Sequence, residues 1–447
     1  MLRKFINGRQ FSFKPSSGEV EVRVPTPKEL FHVGTIVDTA IVIPPTTGLT
    51  YRLYYLSEQL AAAGHKQTWF IANRNHHDLE SIQKLVTNSI RIHLLPLERF
   101  YNVEYMSQLL LEEGIDIMQF ELSETGLKLG LPLRERTGIP LVQEIHDVEA
   151  ELRASLGRDD EVDAAHFIQY VAGTTADAVV SMTPHDREAL INTVGIDTHK
   201  LFLAPNGVST GSATAALTKI PHRLVMLGNM FYPPNQEGLL YTVKEILPKV
   251  REVFPDAVMR VVGMVPDDVR ERLAGPSVEF TGAIEDMEAF KAELQSAAIG
   301  LCILFSGSGM KVKILDYSLA ALPIVTTPSG MSGYEMNQHL TAVAPDAAAI
   351  VEAIVALLKD PERRKRLGTA NCEFVVREFG WQTIAKTMEA AYQYAHQVGD
   401  RKTEAQSRTP IPLPFWFTEK RHETVTDSKH YVIDTAVTVA EDHENSP

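Results

Sequence analysis

The sequence predicts two consecutive α/β domains, each built on a parallel β-sheet. Short apolar runs alternate with amphipathic stretches from about Val37 onwards. A small polar segment at 208–217 interrupts this alternation, and it restarts at Arg223. Strands that alternate with helices are typical of a parallel sheet covered on both faces. The length of 447 residues is sufficient for two or three domains.

The apolar runs predict the following strands of the first domain: 40–43, 68–72, 90–95, 117–120, 140–145 and 178–181, with a helix over 51–63 after the first of them. For the second domain they predict strands at 223–227, 257–262, 278–280, 299–304 and 323–326, and helices at 239–254, 287–298, 311–321 and 346–359. A further amphipathic helix is predicted over 381–395. We therefore expect a lead-in at 1–34, domains at 35–208 and 218–375, a C-terminal helix at 376–397 crossing back to the first domain, and a polar tail at 398–447.

Composition excludes several classes of protein. The formal net charge of −14 argues against a nucleic-acid partner, which needs a basic face. The two cysteines form neither a disulfide framework nor a zinc motif. The N-terminus lacks the apolar stretch of a signal peptide, and no run reaches the roughly 18 apolar residues of a membrane helix. We expect a cytoplasmic protein, with peripheral membrane contact left open.

The segment at 305–320, Phe-Ser-Gly-Ser-Gly-Met-Lys-Val-Lys-Ile-Leu-Asp-Tyr-Ser-Leu-Ala, carries the strongest signal for chemistry. It follows a predicted buried strand and opens a helix. Gly309 and its neighbours Ser308 and Met310 would present free amides to an anion, and Lys313, about one turn into the helix, would add a charge. Asp316 follows three residues later and could accept hydrogen bonds from ribose hydroxyls.

Two other interpretations of this segment stay open at this point. A glycine turn followed by a surface Lys313–Asp316 pair would look the same. A dinucleotide-binding turn is disfavoured, because the third glycine that it requires is Val312.

The segment resembles the donor site of family 4 retaining glycosyltransferases, in which a glycine-serine-glycine turn and a basic residue precede Lys-Ile-Leu-Glu-Ala. The resemblance extends over roughly residues 35–395. The further matching segments occur in family order at 44–52, 64–65, 146–147, 205–208, 228–238, 261–266, 280–286 and 323–328. It implies the GT-B architecture, in which two Rossmann-like domains face a central cleft.

The resemblance also implies a role for individual residues. The loop at Gly48 would face the donor diphosphate, and His146 would lie near the reacting sugar and the acceptor. Backbone groups of Ala283 and Ile284 would border the nucleotide base. The remaining donor contacts would be Asn229 in the first turn of the second domain, Ser308, Gly309 and Met310 with Lys313 at the phosphates, and Asp316 at the ribose.

Three positions depart from the family pattern. Asp316 replaces the usual Glu and is one methylene shorter. Ser308 stands where a second Glu often contacts the donor sugar, and Asn229 stands where an Arg often follows the glycine. Charge on the leaving group would therefore be stabilised mainly by Lys313 and backbone amides.

We expect a retaining hexosyltransferase that uses a nucleoside diphosphate sugar, no cofactor and no metal. The acceptor would be a sugar, a lipid-linked sugar, a protein or a small molecule. His146 and Lys313 are the expected catalytic residues, although His146–Asp147 could also be a satisfied loop pair. Arg52 could be a surface charge of its helix or a phosphate contact. The alternatives are a nucleotide-sugar epimerase of the same fold and a catalytically degenerate partner subunit.

Overall fold

The computed structural model describes the following residues: 4–6, 9–11, 30–39, 48–74, 90–209, 219–284, 286–307, 309–343, 345–402 and 431–433. Within them, two α/β domains each contain a predominantly parallel sheet, which confirms the predicted fold class. A separate two-stranded antiparallel sheet joins Lys4–Ile6 to Arg9–Phe11.

The N-terminal domain is built on an eight-stranded sheet. From one edge to the other, its strands are Tyr431–Ile433, Ile90–Pro96, Lys66–Asn73, His32–Val37, Ile117–Phe120, Leu141–Ile145, Ala178–Ser181 and Leu201–Leu203. Neighbouring strands are parallel, except that Tyr431–Ile433 pairs antiparallel with Ile92–Leu94.

Helices cover both faces of this sheet. The α-helices are Gly48–Ala62, Leu97–Phe100, Val103–Glu112, Ser123–Thr125, Leu131–Thr137, Glu149–Ser155, Val162–Thr175 and Pro184–Ala189. Two π-helical turns, Gly126–Gly130 and Leu190–Val194, and two 3-10 turns, Asp159–Glu161 and Thr198–Lys200, continue or connect them.

The C-terminal domain has a six-stranded, fully parallel sheet. Its strands in spatial order are Val278–Phe280, Val258–Val262, Arg223–Leu227, Ile299–Cys302, Ile324–Thr326 and Thr341–Ala342. The helices are Pro233–Tyr241, Leu247–Val253, Asp267–Leu273, Met287–Gln295, Val312–Leu319, Ala347–Lys359 and Pro361–Glu378, with a π-turn at Thr242–Ile246 and a 3-10 turn at Ser329–Met331.

Burial explains why these segments form central strands. Strands Ile117–Phe120 and Ile299–Cys302 are buried along their whole length, as expected for a sheet covered on both faces. The helix Trp381–Lys402 follows the C-terminal domain but packs on the N-terminal one, where Trp381, Met388 and Tyr392 join the apolar cluster around Phe31. This helix therefore connects the end of the second domain to the first.

The structure corrects several predicted elements. The first sheet strand begins at His32, inside the expected lead-in, and the predicted strand at 40–43 lies outside the described residues. The helix Trp381–Lys402 extends beyond 397, and the expected polar tail contributes the edge strand Tyr431–Ile433. Helix Pro361–Glu378 was not predicted, because its charged sequence shows only a weak apolar stripe. Among the described helices, none is long and apolar enough to cross a bilayer.

Candidate functional site

The carboxyl ends of the central strands in the two domains lie at a common interface. His146 directly follows the strand Leu141–Ile145, and Gly228 directly follows Arg223–Leu227. Contacts join the domains here: the amide of Asn206 donates to the sulfur of Met310 at 3.2 Å. In open α/β sheets, ligands bind outside the carboxyl ends of the strands, so this interface is the candidate site.

Lys313 is the central cation of the C-terminal side. It is the second residue of helix Val312–Leu319, so it lies closer to the helix start than the expected full turn. Its Nζ donates to Oδ1 of Asn235 at 2.6 Å. Within the described part of the chain, no carboxylate forms an ion pair with it. Burial lowers the pKa of its ammonium group.

Gly228 and Gly48 flank Lys313. A Cβ built on Gly228 would lie 3.3 Å from Nζ of Lys313, and the residue has φ +152. Gly48 is exposed at the start of helix Gly48–Ala62, and its built Cβ would lie 3.8 Å from Cγ2 of Val312. The start of the Val312 helix therefore faces the start of a helix from the other domain, and the missing Cβ of Gly228 leaves room for the side chains of Asn235 and Lys313.

The loop before the Val312 helix differs from the expected open turn. Gly309 is buried, and a Cβ on it would collide with Oδ1 of Asp147. Met310 contacts Asn206, as given above, and Ser308 lies outside the described residues. The described part of this loop is therefore an interdomain contact, because protein groups already occupy the space beside Gly309 and Met310.

Asp316 is the acidic residue of the same helix. It is partly buried, and burial raises the pKa of its carboxyl to about 7. No hydrogen bond joins its side chain to another described residue, including Lys313 on the same face. Its charge acts on Tyr51 and Tyr55 of the opposite domain, where it opposes their ionisation. Asp316 thus faces the interdomain interface rather than forming the alternative Lys–Asp surface pair.

The other expected donor contacts lie on neighbouring loops of the C-terminal domain. Asn229 accepts from the amide of Phe231 through Oδ1, and its carbonyl accepts from Asn235 Nδ2 at 2.9 Å. Asn235 therefore holds both Lys313 and the Asn229 loop. Ala283 is exposed and Ile284 packs on the apolar cluster of this domain, both shortly after the strand Val278–Phe280.

His146 belongs to a buried polar network in the N-terminal domain. Its Nε2 donates to Oε2 of Glu121 at 3.0 Å and lies 3.8 Å from Oε2 of Glu144. Gln119 donates to Oε1 of Glu121 at 2.7 Å and to Oε1 of Glu144 at 3.0 Å. Burial alone would lower the pKa of His146, but the hydrogen bond and charge of Glu121, together with Glu144, raise it above the usual value.

Arg52 supplies the second cation of this network, which corrects the expected surface or phosphate role. It is wholly buried, and its Nε donates to Oε2 of Glu144 at 2.5 Å. The side chains of Glu121, Glu144 and His146 place one ligand atom each within 4.8 Å of one another, which is close enough for a metal ion. Arg52 and Gln119 already satisfy these carboxylates, so the donor set does not favour a cation.

Comparison with known proteins identifies the two domains separately. Residues 46–212 match the family described as Glycosyltransferase Family 4, and residues 221–360 match Glycosyl transferases group 1. The chain belongs to the family 4-like glycosyltransferases of GT-B fold. The first matched region of this family 4-like chain includes Gly48 and His146, and the second includes Lys313 and Asp316.

Two curated relatives are similar to this family 4-like chain. A phosphatidyl-myo-inositol mannosyltransferase of Mycobacterium leprae is 25% identical over 209 residues, which cover 44% of this chain and 54% of that protein. A glycogen synthase of Mycobacterium tuberculosis is 22% identical over 285 residues, which cover 61% and 67%. The matched region thus spans about half the length of the first relative and two thirds of the second.

Solved structures share the GT-B fold of this family member. Sucrose-phosphate synthase from Thermosynechococcus elongatus superposes with a TM-score of 0.65 at 18% identity, covering 81% of this chain and 98% of that one. Anabaena HepE in complex with UDP-glucose gives a TM-score of 0.61 at 11% identity, covering 83% and 100%. At these identities the likeness concerns the fold.

The structure brings several predicted residues of this family member to one interface, and it adds others. Gly48, Lys313, Asp316 and His146 lie there together. Glu121, Gln119 and Glu144 were not predicted as site residues. Polar residues within or beside short buried strands could have indicated a buried polar network. Asn235 and Tyr392, which act through long-range contacts that no local pattern shows, were also not predicted.

Proposed function

We propose that this protein transfers a glycosyl group from a nucleoside diphosphate sugar to an acceptor hydroxyl, with retention of the anomeric configuration and without a metal ion. The family membership supports glycosyl transfer in general terms. The particular donor site proposed here is the space bordered by Gly228, Lys313 and Gly48, rather than the loop at Gly309 and Met310.

The observation that carries the proposal is the partly buried ammonium group of Lys313 beside the Val312 helix start. A buried cation costs free energy unless an anion or hydrogen bonds compensate it, and its partner in the chain is the neutral amide of Asn235. The helix start adds partial positive charge. A diphosphate would satisfy both the ammonium group and the helix start.

The reaction follows from this arrangement. The bond between the anomeric carbon and the diphosphate oxygen breaks, and negative charge develops on the leaving diphosphate. Lys313 and the helix amides stabilise that charge, and one such donor is worth about 3 kcal/mol. A new bond forms from the acceptor oxygen to the same face of the sugar, and the departing phosphate takes the acceptor proton. Asp316 accepts hydrogen bonds from the ribose, and Ala283 and Ile284 border the base.

His146 lies on the opposite side of the interface and would contact the transferred sugar or the acceptor. The acceptor is a sugar, a lipid-linked sugar, a protein or a small molecule, bound by the N-terminal domain. Closure of the two domains would exclude water and limit hydrolysis of the donor. The contact between Gly309 and Asp147 is then part of the closed interface.

Product analysis tests the proposal. The protein is incubated with UDP-glucose or GDP-mannose without added acceptor, and proton NMR follows slow hydrolysis. We expect release of the nucleoside diphosphate and of a sugar whose first-formed anomer matches that of the donor. A product in which an altered sugar stays on the nucleotide would instead indicate an epimerase. Donor binding without turnover, restored only by another protein, would indicate a partner subunit.

A matched pair of variants connects the reaction to the site. Lys313→Met removes the ammonium group and keeps most of the length of the side chain, so it should slow this hydrolysis by about 10²–10³-fold. Lys365→Met changes an exposed lysine on helix Pro361–Glu378 and should retain it. Equal activity in both variants would remove Lys313 from the mechanism.

A further inference from the structure

The network around His146 extends to the helix that crosses back from the C-terminal domain. The hydroxyl of Tyr392, in helix Trp381–Lys402, donates to Oε1 of Gln119 at 2.5 Å. The side-chain amide of Gln119 donates hydrogen bonds to Glu121 and Glu144, and Glu121 accepts a hydrogen bond from His146. A continuous chain of hydrogen bonds therefore connects the helix to the histidine.

A second branch fixes the same network from another direction. Besides its bond to Glu144, Arg52 donates through Nη1 to the carbonyl of Pro205 at 2.9 Å, and its Nη2 lies 3.9 Å from the sulfur of Met388. Pro205 precedes Asn206, whose amide contacts Met310 of the other domain. The network is thus held by residues of the first helix, two central strands, the interdomain loop and the crossing helix.

Burial is almost complete except at the histidine. Arg52, Glu144 and Tyr392 are 0% exposed and Glu121 is 1% exposed, whereas the His146 side chain is 18% exposed. The two glutamates and Arg52 together carry one net negative charge, which a protonated His146 would neutralise. Buried charges are tolerated when they are paired and hydrogen-bonded, so the network favours the imidazolium.

The direction of the hydrogen bond to Glu121 places a proton on Nε2 of His146. A carboxylate only accepts, so Nε2 of His146 is the donor to Glu121. Nδ1 has no partner among the described residues. The other charged groups near His146 are Asp147, which neighbours it in the chain, and Lys311, on which the charge of Asp147 acts across the interface.

We propose that Glu121 is a positioning residue that keeps the proton on Nε2 of His146 and leaves Nδ1 available to the substrate, and that Gln119, Glu144, Arg52 and Tyr392 hold Glu121 in place. This inference rests on the proposed function, in which His146 faces the transferred sugar or the acceptor. Because the network favours the imidazolium, Nδ1–H of His146 then acts as a hydrogen-bond donor and a local positive charge rather than as a general base. Through Tyr392 and Gln119, the helix Trp381–Lys402 also influences the protonation of His146.

The test is the proton NMR titration of the His146 ring, assigned by comparison with His146→Asn. Glu121→Gln keeps the shape of the side chain but removes its charge, so His146 should bind its proton at least about tenfold less tightly than in the wild type. Tyr392→Phe removes only a hydroxyl and should weaken proton binding in the same direction by a smaller factor. An unchanged titration in Glu121→Gln would overturn the inference.

The domain contains a matched control pair. His93 Nε2 also lies 3.0 Å from a glutamate, Oε1 of Glu113, but this pair is outside the interface network. Glu113→Gln removes the carboxylate beside His93 and should leave the titration of His146 unchanged. A shift of His146 in this variant as large as in Glu121→Gln would show that the effect is not specific to the network, and would overturn the proposal.

Kinetics distinguish positioning from a purely structural role. In folded Glu121→Gln, the hydrolysis of UDP-glucose or GDP-mannose, whichever the wild type hydrolyses, should show a kcat at least about tenfold lower while KM for that donor changes little. Its pH profile should move with the His146 titration. A lower kcat with an unmoved profile would contradict the inference. Nucleoside diphosphate binding does not depend on Glu121. A wild-type protein that binds no nucleoside diphosphate would therefore contradict the proposed function and leave the inference about Glu121 to the NMR titration.

Discussion

The two sides of the interface treat buried charge in opposite ways. On the N-terminal side, Arg52, Glu121, Glu144 and His146 balance one another through hydrogen bonds and ion pairs. On the C-terminal side, the ammonium group of Lys313 has the neutral Asn235 as its partner. A balanced network serves the stability and geometry of the fold, whereas an unbalanced cation costs stability and is explained by a ligand. Variants on the two sides should therefore differ in whether they change stability or turnover.

The largest expected effect on stability is at Arg52. Arg52→Met leaves two buried carboxylates with less positive charge, and breaking a buried pair costs about 3–5 kcal/mol. Urea unfolding measures this change in the free energy of unfolding. The control is Arg91→Met, which breaks a partly exposed pair with Glu113 and should cost about 1 kcal/mol or less. Similar losses in the free energy of unfolding of the two variants would contradict the idea that Arg52 balances the charge of buried carboxylates.

The next effect is on turnover at Lys313, with the opposite consequence for stability. Lys313→Met should reduce donor turnover by about 10²–10³-fold, since it removes one donor to the developing charge. Burial lowers the pKa of Lys313, so the charged form destabilises the native state at pH values below that pKa. The variant should therefore be at least as stable as the wild type at pH 7. A large loss of stability would place Lys313 among the structural cations.

Gly309 tests whether the interdomain contact is part of the active arrangement. Gly309→Ala places a methyl group against the carboxylate of Asp147 and should reduce turnover by about tenfold, or about 1.4 kcal/mol. Gly138→Ala is the control: it has a similar positive φ, +73 against +71, with nothing within 4 Å of its Cβ. Both pay roughly 1–2 kcal/mol for the left-handed backbone. The double variant with Asp147→Ala should recover part of the activity, and no recovery would argue against the clash.

The smallest effect concerns the pH dependence at Asp316. Its folded pKa is about 7, above the unfolded value, so wild-type stability decreases as pH rises from about 4 to 7. Asp316→Asn should therefore raise the melting temperature at pH 8 by a few degrees and change it little at pH 4. Nucleotide affinity should fall in this variant. An equal change in melting temperature at both pH values would contradict the burial of this carboxylate.

The parts of this picture that the sequence predicted are local. Strand Val278–Phe280 and the helix after Gly309 follow from apolar runs and glycine punctuation within a few residues. The grouping of Gly48, Lys313 and Asp316 followed from the family resemblance. The helix begins at Val312, one residue later than predicted, but the other domain occupies the space beside Gly309 and Met310 that was expected to receive an anion.

The charge network could not be predicted in the same way. Arg52, Gln119, Glu144 and Tyr392 are separated by up to 340 residues of sequence, and each alone has an ordinary local interpretation (Tyr392 and Arg52 as helix residues, the others as strand residues). Only the fold shows that they are buried together. Arg52 illustrates the difficulty, since an arginine on an amphipathic helix is usually exposed, and the carboxylate that makes its burial possible is Glu144 on a distant strand.

The most direct test of the central claim compares nucleoside diphosphates with their nucleosides by isothermal titration calorimetry. We use uridine, guanosine, thymidine and adenosine, each with its diphosphate, on the wild type and on Lys313→Met. One diphosphate should bind the wild type and bind Lys313→Met about 10²-fold more weakly, whereas its nucleoside should bind both equally. Failure of all four diphosphates to bind the wild type, or equal binding to both proteins, would contradict a diphosphate site at Lys313.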